Sequence, residues 1–356
     1  MPAKALSVYL GREAAARIAE QGWHPDHFDL LMGASGGPKW FILSGLDQTL
    51  FGDFLARGSQ PLTTLGSSIG SWRHACLPQS DPAAAIRRLE AGYLYQEYSS
   101  AKPSAKEISQ VSTGILDSVL EKDGLAEIIA HPRYSSHVVT ARGLGLAARQ
   151  GGPSLIAGMG MAAVRNAMSR EQLHRHFQRV VFYSGETLQP ALDFHDFDTL
   201  HVPMAEENIR SALHASGSIP FVLTGEQDIP GAPRGQYWDG GIIDYHFDLH
   251  QYHRDGLLLY PHFRADITPG WFDKFLPWRK RALAAYDKLV LLCPNPAFVA
   301  ELPLGKIPDR SDFTRLSPEE RVANWETCVT RSHALADEFN LLMTGSDPLA
   351  GVTVLD

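Results

Sequence analysis

Residues 61–77 read PLTTLGSSIGSWRHACL, a pattern that predicts a strand, a tight turn and a helix in succession. Its first five residues predict a buried strand, the next five a tight turn, and the remainder the beginning of a helix. A serine at such a turn holds its hydroxyl clear of the backbone when small residues lie two positions away on either side. Ser68, between Gly66 and Gly70, is therefore a candidate nucleophile.

A second strand–turn–helix unit precedes this one in the chain. An apolar run at 28–32 is followed by a glycine cluster, GASGG at 33–37, and then by a helical pattern at 40–50. The cluster also matches Gly-x-Ser-x-Gly, so Ser35 is a second candidate nucleophile. The two serines cannot both be the nucleophile of one site.

The neighbours of the two serines separate their roles. Glycines and Pro38 follow Ser35, so the backbone there can approach a ligand closely and offer N–H groups at a helix N-terminus. An oxyanion-binding loop requires these properties. We therefore predict that Gly36 and Gly37 bind the oxyanion and that Ser68 is the nucleophile.

A carboxylate before two glycines is the candidate base. Residues 236–241 read QYWDGG, and Asp239 follows a strand-like pair. Apolar neighbours raise the pKa of a carboxylate, which lets it accept the serine proton directly. Taken alone, Asp-Gly is a common turn dipeptide, so a simple turn at Asp239 is the alternative interpretation.

Strands alternate with helices along the rest of the chain. Apolar or β-branched runs predict strands at 137–141, 179–183, 257–260 and 288–293, and helical patterns cover much of 82–129, 205–216 and 318–342. The alternation predicts an α/β protein built as a three-layer α/β/α sandwich. No linker interrupts it, so residues 1–356 are predicted to form a single domain.

Composition excludes several classes of protein. The chain has 356 residues, 44% of them apolar, and a formal net charge of −8, so we expect a packed fold and no nucleic-acid partner. Its three cysteines form no CxxC pair, which argues against a disulfide scaffold and a zinc site. The N-terminus lacks a secretory profile, and no apolar stretch reaches the ~20 residues of a transmembrane helix. We therefore predict a cytoplasmic protein.

Four motifs together resemble the patatin-like phospholipases, over about residues 30–244. That family has G-G-G-x-K/R-G, then G-x-S-x-G, then D-G-G/A, with an Ala-Ser-x-x-x-Pro turn upstream of the aspartate. The similar segments here are SGGPKW at 35–40, GSSIG at 66–70, DGG at 239–241 and ASGSIP at 215–220. The first segment departs from the family at Ser35 and Trp40, and Pro38 has no N–H to donate.

The resemblance implies an architecture and a reaction. It implies a mainly parallel central sheet, a family-like core at about 28–260 and a helical C-terminal extension at about 265–345. Ser68 would attack a carboxylic ester of a lipid and form an acyl-enzyme, with Asp239 as general base and no histidine. No metal or organic cofactor is required.

The resemblance also assigns supporting residues. Lys39 either holds the glycine loop or meets an anionic head group, a solvated lysine being the alternative. The remaining oxyanion and supporting positions are Gly36, Gly37, Gly66, Gly70 and Gly240. Two other functions stay open at this point: an α/β-hydrolase-like esterase that uses Ser35 with a histidine, and an inactive lipid-binding member of the fold.

Three further segments carry weaker signals. His246, His250 and His253 are spaced to share a helix face, where a polar surface or support near the aspartate is a stronger interpretation than a metal site. The glycines and methionines of 143–168 favour ordinary core over a mobile flap.

Residues 270–281 read GWFDKFLPWRKR, a mixture of aromatic and basic side chains. The preferred interpretation is a helix that packs its aromatic rings into the core. Peripheral membrane contact is the alternative, because a membrane interface accommodates both rings and cations. The residues that would make this contact are Trp271, Phe275, Trp278, Arg279 and Lys280.

Overall fold

The computed structural model describes residues 4–185, 192, 194, 196–247, 254–280, 282–283 and 286–355. In these residues, helices pack against a mostly parallel central sheet. The predicted α/β class is therefore confirmed, and the arrangement is compatible with a three-layer sandwich.

The described strands all belong to one sheet. They are β1 (Leu6–Leu10), β2 (Phe28–Gly33), β3 (Leu62–Ser67), β4 (Tyr134–Gly143), β5 (Phe177–Tyr183), β6 (Thr199–Pro203), β7 (Glu226–Gln227), β8 (Gln236–Asp239), β9 (Leu257–Pro261), β10 (Leu289–Pro294) and β11 (Thr353–Val354). Their order is β11-β1-β10-β9-β2-β3-β4-β5-β6, while β7 pairs with β8 and β8 with β4.

The middle of the sheet is parallel. β10, β9, β2, β3 and β4 run in the same direction, whereas β1 is antiparallel to β10 and β5 is antiparallel to β4. β3 is buried at every position, as expected for a parallel strand covered on both faces. The carboxyl ends of parallel strands lie at the same edge of the sheet. The candidate site lies at this edge, just after β2 and β3.

The α-helices connect and cover these strands. They are α1 (Arg12–Gln21), α2 (Ser44–Thr49), α3 (Ile69–Cys76), α4 (Pro82–Leu94), α5 (Ala105–Leu120), α6 (Gly124–Ala130), α7 (Gly152–Met168), α8 (Glu206–Ser216), α9 (Pro296–Ala300), α10 (Asp312–Arg315) and α11 (Pro318–Thr344). Local sequence explains the ends of several of them. At α11, Ser317 and Glu320 form a reciprocal capping box and Pro318 occupies the first helical position.

Two apolar clusters fill the interior. The larger one extends under most of the sheet and includes side chains of α2, α3, α4, α5, α8 and α11. The smaller one lies beneath α7, where Leu155, Met159 and Ala162 pack with Phe177 and Trp238. α7 therefore has its own small core beside β4, β5 and β8.

The structure differs from the expectations in three places. Residues 265–345, expected to be a helical extension, also supply β10, which lies inside the sheet between β9 and β1. β1 was not among the predicted strands, because its five residues are defined by pairing with β10, which is distant in sequence. The helix predicted at 40–50 begins as a 3₁₀ helix, Gly37–Leu43, before α2.

Candidate active site

The long strand β4 brings the two candidate catalytic residues together. Its first half pairs with β3, whose last residue, Ser67, lies opposite Val139. Its second half pairs with β8, whose last residue, Asp239, lies opposite Thr140. Because β3 and β8 run toward each other along the same side of β4, the turn after β3 and the turn after β8 meet end to end.

Ser68 occupies the sharp turn between β3 and α3. Its φ of 55° and ψ of −131° are unusual for a residue with a side chain, and such strain is typical of functional turns. The turn needs a glycine at position 70, because a Cβ there would collide with the backbone carbonyl of Gly33. The structure thus explains why small residues flank Ser68.

A direct hydrogen bond links the serine and the aspartate. Ser68 Oγ donates to Asp239 Oδ2 at 2.8 Å, and both residues are only 6% exposed. The other carboxylate oxygen, Oδ1, accepts the N–H of Gly241 at 2.7 Å. Burial raises the pKa of Asp239 to about 6, while the bonds from Gly241 and Ser68 partly oppose the shift. The carboxylate is thus ionised at neutral pH but more basic than an exposed aspartate.

The positions of the two glycines after Asp239 leave no room for a Cβ atom. A Cβ at position 240 would collide with the carbonyl oxygen of Val139, and one at position 241 would collide with Ser35 Oγ. The short 3₁₀ helix Gly240–Ile242 therefore packs directly on β4 and on the glycine loop. This close packing fixes the direction of the Asp239 side chain.

Ser216, at the end of α8, forms hydrogen bonds that hold the turn at Ser68. Its Oγ accepts the backbone N–H of Ser68 at 3.0 Å, lies 2.9 Å from Ser71 Oγ, and donates to the carbonyl of Val139 at 2.7 Å. Nearby, the carbonyl of Ser218 accepts the N–H of Asp239 at 2.8 Å. The segment that resembles the Ala-Ser turn thus supports both candidate catalytic residues.

The glycine loop after β2 faces the same site. Gly37 has a φ of 55°, and the N–H groups of Gly36 and Gly37 donate to no acceptor in the part of the chain that the structure describes. Ser35 Oγ donates instead to Ser67 Oγ at 3.0 Å, and its N–H donates to the carbonyl of Tyr245 at 2.9 Å. The loop therefore offers free backbone donors, whereas the Ser35 hydroxyl is held by a neighbouring serine.

Ser35, Gly36, Gly37, Ser68 and Asp239 all line one cavity of about 210 Å³. Its apolar wall consists of Met159, Ile219, Pro220, Phe221, Ile242 and Trp271. No histidine lies among the described lining residues, so this cavity offers no histidine partner for Ser35. The cavity has the combination of an apolar wall and a few converging polar groups that is typical of ligand sites.

Three cations also line this cavity: Lys39, Lys274 and Arg310. None of them forms an ion pair with a carboxylate of the described chain. Lys274 Nζ lies 3.6 Å from the centre of the Tyr245 ring, and Lys39 Nζ lies 5.9 Å from that of Phe263. Partial burial and the nearby charges of Lys39 and Arg310 lower the pKa of Lys274. An anionic ligand would relieve this repulsion.

Two of these cations were not predicted as site residues. Lys274 belongs to the aromatic and basic segment, but nothing in the spacing directs it toward Ser68. Arg310 precedes α10 and has no local signal at all, since only the folding of the C-terminal part beside the glycine loop brings it to the cavity. A Cβ at position 37 would lie 3.4 Å from the Arg310 side chain, which shows how closely they approach.

The three histidines considered for a metal site do not line the cavity in the part of the chain that the structure describes. His246 is buried, so the expectation of a polar surface is wrong for it, and its Nδ1 accepts the N–H of Thr268 at 3.0 Å. His250 and His253 lie outside the described residues. No group of three or more potential metal-binding side chains occurs in the residues with a described position.

The aromatic segment is divided between the cavity and the surface. Trp271 lines the cavity, whereas Phe275 and Trp278 are exposed, so the expectation that these rings pack into the core is wrong for the last two. In the described chain, the helices are too short or too polar to cross a membrane.

Comparison of the chain with protein-family models, with curated proteins and with solved structures found no match.

Proposed function

We propose that this protein is a serine hydrolase of the patatin-like type, which cleaves carboxylic esters of lipids through a Ser68–Asp239 dyad. The observation that carries the proposal is the 2.8 Å bond from Ser68 Oγ to Asp239, formed at a strained strand–helix turn inside a cavity. A nucleophile, its base and free backbone donors within one cavity are the parts that acyl transfer requires.

In the first step, Asp239 accepts the proton of Ser68 as Oγ attacks the ester carbonyl carbon. The carbonyl electron pair moves onto its oxygen, which the N–H groups of Gly36 and Gly37 stabilise. The tetrahedral intermediate then collapses, and the alcohol leaves with the proton held by Asp239. The product of this step is an acyl-enzyme on Ser68.

In the second step, Asp239 removes a proton from water, and the resulting hydroxide attacks the acyl carbonyl. The second tetrahedral intermediate releases the carboxylic acid and returns the proton to Ser68. The raised pKa of Asp239 serves both directions of transfer, since a base near the operating pH both accepts and returns a proton efficiently.

The lining of the cavity supports a lipid with an anionic head group. Its apolar wall suits an acyl chain, and the unpaired cations Lys39, Lys274 and Arg310 suit a phosphate. Two carboxylates, Asp239 and Asp309, line the same cavity but form no ion pair with these cations, so a neutral ester would leave the three cations unpaired. Phospholipids are therefore the favoured substrates within the proposed class.

Paired serine variants test the proposal. Turnover is measured for Ser68→Ala and Ser35→Ala with a phospholipid, a neutral lipid, a thioester and a small soluble ester. Ser68→Ala should lose roughly 10⁴-fold or more in turnover of the best ester, whereas Ser35→Ala should retain most of it. An active Ser68→Ala beside an inactive Ser35→Ala would instead support the Ser35 esterase. A folded wild-type protein that cleaves none of the four would support a lipid-binding role.

A further inference from the structure

Helix α7 has no polar face. Between Leu155 and Met168 its only polar side chains are Arg165 and Asn166, and Asn166 is buried. One side of the helix packs on the small core. The other side is just as apolar, whereas a helix on a protein surface normally turns charged residues toward water.

The outer side of α7 is exposed. Ile156, Met161, Val164 and Met168 are exposed by 62%, 44%, 65% and 76%. Met161, Val164 and Met168 recur at the spacing of one helix face, and Ile156 lies about two turns before Val164. Contiguous exposed apolar side chains of this kind mark interaction surfaces in soluble domains.

Two more exposed rings adjoin this helix. Phe275 and Trp278, exposed by 77% and 70%, lie on or beside the 3₁₀ helices Trp271–Phe275 and Pro277–Arg279. Asn166 of α7 donates to Asp273 at 2.7 Å, and Arg279 donates to the carbonyl of Asn166 at 2.9 Å. These bonds hold the two segments side by side.

We name this surface the α7 face and define it by its exposed side chains: Ile156, Met161, Val164, Met168, Phe275 and Trp278. The face adjoins the catalytic cavity. Met159, on the inner side of α7, and Trp271, at the start of the aromatic segment, both line the cavity. Phe221, another lining residue, is 52% exposed.

The two segments that carry the α7 face, 143–170 and 270–281, contain seven Lys or Arg residues and one carboxylate, Asp273, which is buried. The sequence contains no Asp or Glu at 143–170 or at 274–281, although the chain as a whole carries a formal net charge of −8. Arg149, Arg165 and Lys274 form no ion pair within the described chain. Lys280 pairs with Asp266 at 2.8 Å, so it contributes less free charge.

From this arrangement we propose that the α7 face docks the protein onto an anionic lipid surface, with the apolar side chains inserted at the interface and the cations near the head groups. An α-helix of 17 residues is about 25 Å long, which suits a helix lying in the plane of a membrane surface. A second copy of the chain is a poorer occupant, because a symmetric contact would bring the same cations face to face.

Two variants, each with one exposed apolar residue replaced by glutamate, test the docking. Val164→Glu changes the α7 face, and Leu341→Glu is its control, since Leu341 is exposed by 69% on α11. Each protein is sedimented with vesicles of phosphatidylcholine, with or without phosphatidylglycerol. The wild type and Leu341→Glu should bind the anionic vesicles, whereas Val164→Glu should bind at least about tenfold more weakly.

Three results would overturn the proposal. The first is a wild-type protein that does not bind anionic vesicles, and the second is equal binding by the two variants. The third is a wild-type protein that binds no vesicles but forms a dimer, which Val164→Glu converts to a monomer. A small soluble ester should be turned over equally by both variants, which checks their folding. Vesicle binding does not depend on turnover, so docking and hydrolysis can fail separately. Met168→Glu should repeat the result for Val164→Glu.

Discussion

The loops after β2 and β3 have the same Gly-x-Ser-x-Gly pattern and follow neighbouring parallel strands, yet their serines differ in every contact. Ser68 has a strained backbone and donates to the carboxylate of Asp239. Ser35 donates to Ser67, and the glycines after it leave their N–H groups free. A third element, β8, distinguishes the two serines, because it ends beside the second loop and places a carboxylate within hydrogen-bond distance of Ser68.

Removing the base should give the largest effect. Asp239→Asn keeps the shape of the side chain but cannot accept the serine proton, so kcat for the best ester should fall by roughly 10⁴-fold. Asp309→Asn is the matched control, since Asp309 lines the same cavity but bonds Lys306 and Ser311 rather than Ser68. Similar kcat values for both variants would show that Asp239 has no special role beside Ser68, and the two loops could then not be distinguished by their contact with a base.

A pair of glycine replacements compares the packing of the two loops. Gly70→Ala places a methyl group against the backbone carbonyl of Gly33, which cannot move alone, so unfolding should become easier by about 3 kcal/mol. Gly36→Ala places it 2.7 Å from the edge of the Phe263 ring, which can turn, so the loss should be about 1 kcal/mol. Urea unfolding measures both values, and a larger loss for Gly36→Ala would contradict this account.

The pKa of Asp239 predicts opposite pH trends for activity and stability. Turnover needs the ionised carboxylate, so kcat/KM should rise with pH through about 6 and then level off. The folded state binds this proton more strongly than the unfolded state, so the same ionisation destabilises the fold as pH rises from about 4 to 6.

Asp239→Asn should therefore be more stable than the wild type above pH about 6, by up to about 3 kcal/mol, and equally stable below about 4. Thermal unfolding across this pH range measures the difference. Ser35→Ala should keep the wild-type pH profile of kcat/KM. A rise in kcat/KM centred near pH 4 would show that burial does not raise the pKa of Asp239.

A smaller effect on turnover is expected from loss of the support of the turn. Ser216→Ala removes the acceptor of the Ser68 N–H, which should lower kcat by about tenfold and the free energy of unfolding by about 1–2 kcal/mol. Ser218→Ala is the control, because its backbone carbonyl still accepts from Asp239 and only a bond to the His214 carbonyl is lost. An equal loss of kcat in the control would argue against a specific role for Ser216.

Local patterns predicted much of the fold but only part of the site. The glycine spacing around Ser68 and the Asp-Gly-Gly turn predict features that depend on adjacent residues, and the structure has the expected turns there. The bond between Ser68 and Asp239 depends instead on the register of β3 and β8 along β4. Arg310 reaches the cavity only through tertiary packing, which leaves no periodic signal in the sequence.

The sequence also does not predict which side of α7 is buried. Its glycines and methionines favour core packing, and Met159 is buried as expected. Met161 and Met168 face outward on the same helix, and composition alone does not separate the two sides. Which side of α7 is buried depends on the small core beside β5 and β8, because this core accommodates only one face of the helix.

The most direct measurement is the site of covalent labelling by a fluorophosphonate probe, mapped by mass spectrometry. We expect an adduct on Ser68 that persists in Ser35→Ala, is absent in Ser68→Ala, and forms far more slowly in Asp239→Asn. An adduct on Ser35, or a folded wild-type protein that stays unlabelled, would contradict the assignment of Ser68 and Asp239 as a catalytic dyad.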